Sequence, residues 1–357
     1  MFKGNNNSIM DKRKNKKSRR FKLFVYFIMF ELFFSVATSP FIVYYGPFNT
    51  LKKMVVGAAM SSFKHQYLAT LFLSNSQIEK IRNGDISTVP ADTNSSDNST
   101  QQQDLNNINT NLNDNSIELK KIQGKKFSGL MMVVHNPRML KVGYSKLLGE
   151  QGEKTSTIAK EFNSIAAING GGFTDKAQNS TATWTGTGAL PIGIVMAAGN
   201  VIYPKEIADP NKKIAGDLVG ITKNGVLIVG KYSLNELRKN QVTDAMTFGP
   251  ILILDGITKN REDGVNIDNQ GPAPRTAIGQ RKEDGAILLL VIDGRQGLQI
   301  GATIKDVQDI MKQENAFNAI NLDGGASTTM YYDGKVLNNP SGKFGERPIP
   351  TIFYVKK

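Results

Sequence analysis

Hydrophobic and polar positions divide this 357-residue chain into five unlike stretches. Residues 1–22 are polar and basic. Leu23 to Tyr45 is then a run of 23 mostly apolar residues, rich in Phe. At about 1.5 Å per residue, a helix of that length crosses a hydrocarbon core of about 30 Å. Glu31 and Pro40 interrupt the run. One carboxyl can be carried near a partner, and Pro40 falls late enough to kink the end of the span rather than abolish it. Residues 46–90 read as a partly helical stalk, with Met54, Val55, Ala58, Ala59 and Ser62, then Tyr67, Leu68, Leu71 and Phe72, at helical spacing. Residues 91–116 are almost entirely Asn, Asp, Ser, Thr and Gln, a composition unable to build a core, and predict a disordered spacer.

Residues 117–357 form the remaining domain. From Ile117 to Tyr144, aliphatic and polar residues alternate about a turn at His135-Asn136-Pro137. Ser164–Ile168 and Ala316–Ile320 are short apolar runs that predict buried strands. Gly199-Asn200, Asn224-Gly225 and Asp284-Gly285 sit between apolar runs as hairpin turns. Ser156–Phe162, Leu234–Asn240 and Thr303–Glu314 are the helix candidates; the last carries Ile304, Val307, Ile310 and Met311 on one face. The pattern predicts an α+β fold: a mixed, largely antiparallel β-sheet core with a few helices, preceded by an N-terminal transmembrane helix.

Charge sharpens the topology. Residues 1–22 hold nine Lys/Arg against Asp11, so +8 of the chain's +13 precedes the span and +5 is left for the other 335 residues. Positive charge before the span keeps the N-terminus in the cytoplasm and puts the C-terminal domain outside the cell membrane as a single-pass protein. A cleaved signal peptide, with Val36-Ala37-Thr38 as its small-residue site, is the rival reading. The mildly basic remainder gives no reason to expect a nucleic-acid partner. The chain has no cysteine, which excludes disulfides, thiolate metal sites and cysteine nucleophiles.

Candidate chemistry gathers where apolar runs end in a polar residue and glycine. The motifs are Asn169-Gly170-Gly171-Gly172-Phe173, Pro274-Arg275-Thr276-Ala277, Ile292-Asp293-Gly294-Arg295 and Asn321-Leu322-Asp323-Gly324-Gly325-Ala326-Ser327-Thr328-Thr329. Polar side chains at the ends of buried strands are held rigidly beside solvent. Asp293 and Asp323 supply the two carboxylates needed for acid/base or nucleophilic work at an anomeric carbon, or else they cap their glycine turns. Arg275 offers a planar fork to a phosphate, or else serves inside the protein. Asn169 suits sugar hydroxyls, an oxyanion or a left-handed turn. Gly172, Gly324 and Gly325 allow backbone to approach a ligand, and Ser327 and Thr328 add donors and acceptors. Trp184 offers a sugar-stacking face or a core contact, and His65 a packing role. With His135 the one histidine after the spacer, a Ser-His-Asp triad has no base. No cofactor is called for, though an oxygen-ligated Ca²⁺ or Mg²⁺ stays open.

Taken together, in order and spacing over about residues 125–355, these motifs resemble the phosphodiester glycosidase family. The resemblance implies hydrolysis of a sugar-1-phosphodiester. Asp293, Asp323 and Arg275 would be catalytic, and Asn169, Gly172, Arg295, Gly324, Gly325, Ser327 and Thr328 would lie around the substrate. The anchor and stalk are similar to membrane-tethered bacterial members, which implies a cell-surface glycan or teichoic-acid-like polymer as partner. The chain lacks the cysteines and appended modules of the animal members, so their lysosomal substrate does not carry over. A non-catalytic carbohydrate-binding or exopolysaccharide-assembly protein, and a metal-dependent phosphoesterase cutting the phosphate–oxygen bond, are the competing readings.

Overall fold

The computed structural model describes residues 6–60, 66–83, 108–175, 187–260, 271–294, 299–342 and 345–357. His65, Trp184, Arg295 and most of the spacer expected at 91–116 lie outside the described residues.

Asn6–Tyr45 is one helix, and its stretch Phe21–Tyr45 is long and apolar enough to cross a membrane, with 25 residues and a mean hydropathy of 1.7. At 1.5 Å per residue it reaches about 37 Å. Pro40 sits inside it. Proline has no N–H for the carbonyl of Val36 four residues back, and that carbonyl instead accepts from Ser39 Oγ at 3.1 Å. The short helices Asn49–Met60, Tyr67–Thr70 and Asn75–Asn83 follow. Val56, Ala59, Ala69, Leu73 and Ile78 close a small core among them, joined by Tyr44 at the end of the long helix.

The C-terminal domain is α+β and is built from three main sheets and a two-stranded ribbon, Phe173–Thr174 with Leu190–Pro191, every strand pairing among them antiparallel. The large sheet runs Ile117–Gln123, Ser128–Val134, Ile287–Ile292, Arg275–Arg281, Ala316–Leu322, Ile251–Leu254 and Ile257–Thr258. The second runs Leu227–Gly230, Leu218–Thr222, Val242–Thr247, Val195–Ala197 and Asn200–Tyr203. The third runs Lys335–Val336, Met330–Tyr332, Ser164–Asn169, Thr351–Lys356 and Leu140–Tyr144.

Period-two alternation explains the packing. Ile287, Leu289 and Val291 face a central core shared with Val219, Ile221 and Met246 of the second sheet and Ile168, Met330 and Phe353 of the third. Leu288, Leu290 and Ile292 face the other way, onto Ile304, Val307 and Met311 of the helix Ile304–Gln313. A strand buried on both faces must be apolar throughout, which is why Ile287–Ile292 shows no alternation in sequence. The helix Leu234–Lys239 covers the outer face of the second sheet, and Thr155–Glu161 covers that of the third. Capping boxes at Ser233/Glu236 and Thr303/Asp306 start two of these helices.

The seams between sheets carry buried polar side chains. Gln280 of the large sheet donates to the carbonyls of Gly225 (2.7 Å) and Gly285 (2.8 Å) and accepts from Leu227 N (2.7 Å). Asp244 of the second sheet accepts from Val142 N of the third at 2.9 Å. Residues 108–116, at the end of the polar spacer, are tied to the domain. Asn109 N donates to Lys282 O at 3.2 Å, and Asn136 Nδ2 donates to Leu112 O at 2.9 Å.

The Gln280 seam yields the first prediction. Gln280→Leu keeps the volume but strands the Leu227 N–H and the Gly225 and Gly285 carbonyls without partners. Burying such groups costs about 1–3 kcal/mol each at most, so urea unfolding should show a loss of about 2–4 kcal/mol. An unchanged midpoint would show that the seam relaxes around the substitution.

Candidate active site

The strand ends named from the sequence converge, and Asn169 is the residue that joins them. It ends Ser164–Asn169 in the third sheet and is 0% exposed. Its Nδ2 donates to the backbone carbonyl of Asp323 at 2.6 Å. Its Oδ1 accepts from Thr276 Oγ1 at 2.7 Å and from Thr329 N at 3.1 Å. One amide thus links the third sheet to two strand ends of the large sheet and to the hydroxyl-rich turn. Asp323 N donates back to Gly170 O at 3.2 Å. Fully buried and committed in this way, Asn169 positions the backbone of Asp323; it offers no face to solvent.

The glycines answer to close approach. A Cβ on Gly170 would stand 2.5 Å from Thr351 Oγ1, and one on Gly171 would stand 2.7 Å from Thr247 O. Gly172 lies against the Phe248 ring, and Gly324 against the carbonyl of Pro274. Gly325 has φ +64°, in the left-handed region, and donates its N–H to Pro274 O at 2.8 Å. The single turn of 3₁₀ helix at Gly325–Ser327 uses the N–H groups of Ser327 and Thr328 internally. Side chains, more than backbone amides, are therefore what this turn offers a ligand. Ser327 and Thr328 are each 1% exposed, and neither hydroxyl has a hydrogen-bond partner among the described residues. Buried hydroxyls without partners are uncommon in native proteins, and two in succession mark the turn.

Asp293 follows Ile287–Ile292, whose last residue pairs with Arg275. Its Oδ1 accepts from Asn338 Nδ2 and from Asn339 N, both at 3.1 Å. Burial raises its pKa above the usual carboxylate value, and the two hydrogen bonds oppose that shift without cancelling it. Asn338 also donates to Thr328 O at 3.1 Å and accepts from Met330 N at 2.8 Å, so it couples Asp293 to the hydroxyl-bearing turn. The sequence reading missed Asn338; nothing distinguishes Asn338-Asn339-Pro340 from an ordinary turn. It also missed Asp217, whose carboxyl packs against Gly249 and is likewise pushed up by burial. Asn321 Nδ2 donates to the same Gly249 at its carbonyl, 3.1 Å away.

Arg275 has the internal role that the sequence left open. It lies on the same strand face as Ala277, toward the helix Ile304–Gln313, whereas Thr276 shares the Asn169 side. It is 6% exposed, with Nε donating to Ala302 O at 3.0 Å and Nη2 to Gly271 O at 2.7 Å. Burial lowers its pKa to about 10, which leaves it charged at neutral pH. A second, half-buried cation, Arg347, holds the buried Asp175 at 2.6 Å and stacks on Phe173, 4.6 Å from the ring centre. That pair continues the Asn169–Phe173 segment and was not singled out from sequence. Among the described residues, no group of three His, Asp or Glu side chains is placed to hold a metal ion.

A family model described as phosphodiester glycosidase matches residues 162–356, more than half of the chain. The N-acetylglucosamine-1-phosphodiester alpha-N-acetylglucosaminidase of Mus musculus is 26% identical over 211 residues, covering 52% of this chain and 40% of that protein. The SPbeta prophage-derived uncharacterized protein YomE of Bacillus subtilis is 31% identical over 109 residues, 30% of this chain and 17% of that protein. The chain thus spans less than half the length of these curated relatives. Among solved structures, the zebrafish N-acetylglucosamine-1-phosphodiester alpha-N-acetylglucosaminidase catalytic domain, auto-inhibited by its pro-peptide, shares the fold. Its TM-score is 0.54 at 23% identity, covering 70% of this chain and 86% of that one.

The raised pKa of Asp293 makes a pH-dependent prediction. Its carboxyl binds a proton more tightly folded than unfolded, so its ionisation weakens the fold as pH rises through the folded-state pKa. Asp293→Asn keeps an oxygen for Asn338 and Asn339 but cannot ionise. The variant should melt above the wild type at pH 7, and the gap should close below the ordinary carboxylate pKa. A gap that widens on acidification would reverse the assignment.

Proposed function

The chain belongs to the phosphodiester glycosidase family, and from that premise we propose that it hydrolyses sugar-1-phosphodiester bonds outside the cell membrane, in a surface glycan or teichoic-acid-like polymer. The observation that carries the reading is the Asn169 clamp, which gathers Asp323, Thr276 and the Ser327-Thr328 hydroxyls at one end of the sheets. The similar mammalian proteins are named for an N-acetylglucosamine-1-phosphodiester, which supports this class of bond.

In the proposed reaction the bond between the anomeric carbon and the phosphate oxygen breaks, and the phosphate leaves as a monoester. That leaving group is already anionic and needs less protonation than an alcohol. Asp323 and Asp293 divide two tasks: one activates water or attacks the anomeric carbon, and the other stabilises positive charge on the sugar ring. Burial raises the pKa of the half-buried Asp293, so it holds its proton more tightly than an ordinary carboxyl. The hydroxyls of Ser327 and Thr328, closed to solvent as the turn stands, become donors for substrate oxygens only where the substrate displaces the groups that cover them. Arg275 acts by anchoring the Gly271 and Ala302 segments beside Pro274, against which Gly324 packs.

The test is product identity. Incubation with sugar-1-phosphodiesters should release free reducing sugar and a phosphomonoester. Sugar-1-phosphate plus alcohol would instead make the protein a phosphoesterase, and binding without products a carbohydrate-binding module. Asp323→Asn should reduce turnover by about 10²–10⁴-fold, with thermal unfolding within about 1 kcal/mol of wild type, since Asn caps a turn nearly as well as Asp. Near-normal hydrolysis by that variant would remove Asp323 from the chemistry.

The +8 leader ahead of the apolar helix supports a single-pass topology with the domain outside. External protease on intact cells should then release a soluble fragment by cutting within residues 91–107. A domain protected from protease until the cells are lysed would place it inside.

A further inference from the structure

The end of the long helix, the helices Asn49–Met60 and Asn75–Asn83 and Leu73 between them line a cleft of about 340 Å³ beside the end of the apolar stretch. That volume lies within the range of about 300–1,000 Å³ in which small ligands are bound. Tyr44 and Tyr45, the last two residues of the span, form one wall. Their hydroxyls are engaged on the next helices, with Tyr44 donating to Leu68 O and Tyr45 to Phe72 O, so the rings are fixed relative to the cleft. Leu73 and Ile81 make it apolar on one side, while Asn49, Gln77, Lys52, Lys53 and Lys80 bring amide and ammonium donors. Three cations converge on the cleft. None of the three lysines is within ion-pair distance of a described carboxylate.

We propose that this cleft binds the phosphodiester headgroup of an anionic phospholipid in the leaflet where the span ends. The apolar wall and the cationic donors together match an amphiphile, which a free phosphate would satisfy only in part. The cleft also sits at the level of Tyr44 and Tyr45, and tyrosine rings favour the membrane–water interface. Lysines at that depth attract anionic lipid, and the attraction falls off within about 10 Å of the surface at 0.1 M salt. The consequence would be an annular lipid held at the base of the stalk. This goes beyond the glycosidase reading and shares with it only the membrane anchor.

The experiment uses the full chain in lipid nanodiscs of phosphatidylcholine, with and without phosphatidylglycerol. After transfer to detergent, bound lipid is counted by native mass spectrometry. The wild type should retain about one phosphatidylglycerol in preference to phosphatidylcholine. The triple variant Lys52→Gln, Lys53→Gln and Lys80→Gln should lose at least about tenfold in retention with unchanged helical content by circular dichroism. A control with Lys121→Gln and Lys125→Gln, exposed lysines of the C-terminal domain, should retain it fully. Equal retention of both lipids, or an unaffected triple variant, overturns the proposal. Displacement of the lipid by millimolar inorganic phosphate overturns the lipid as the source and leaves a simple anion site. A chain that does not insert overturns the anchor and this site together, whereas insertion without headgroup preference overturns the site alone.

Discussion

Three antiparallel sheets around one core have to be joined where backbone pairing stops, and buried side-chain amides and carboxylates do the joining. Asn169 links the third sheet to the large one, Gln280 the large to the second, and Asp244 the second to the third. Each occupies a position where alternation calls for an apolar side chain. A buried polar group costs stability unless it is satisfied, and all three accept or donate to backbone across a seam. Among these joints, Asn169 also sets the position of a candidate catalytic carboxylate.

That dual use fixes the backbone of the candidate site from several sides. Asp323 is held from both directions, its carbonyl by Asn169 and its N–H by Gly170. Asp293 is held by Asn338, which simultaneously bonds the turn carrying Ser327 and Thr328. A protein selected only for stability would gain by removing a carboxyl whose pKa is raised by burial. Retaining such groups beside hydroxyls without partners is the pattern expected where structure yields stability to chemistry.

Much of the architecture was legible along the chain. The apolar run Leu23–Tyr45, the capped helix Thr303–Glu314 and the hairpins at Asn224-Gly225 and Asp284-Gly285 are local features: spacing, caps and turn glycines act within a few residues of themselves. The glycine-rich strand ends were legible too, because a Cβ at Gly170 or Gly171 is excluded by contacts that any sequence on this backbone must respect.

What each of those residues does was decided in three dimensions. Arg275 and Thr276 are neighbours in sequence, yet pleating sends one toward a helix to serve carbonyls and the other to Asn169. Asn338 and Asp217 carry no local signal; Asn338 takes its role from Asp293, 45 positions away, and Asp217 from burial beside Gly249, 32 positions away. Sequence alone determined the alternation, the caps, the turns and the long apolar helix, because those follow from local periodicity and backbone sterics. Partner choice at the seams and the desolvation of Asp293 belong to the tertiary structure, because both depend on which distant strands the core brings within hydrogen-bonding reach.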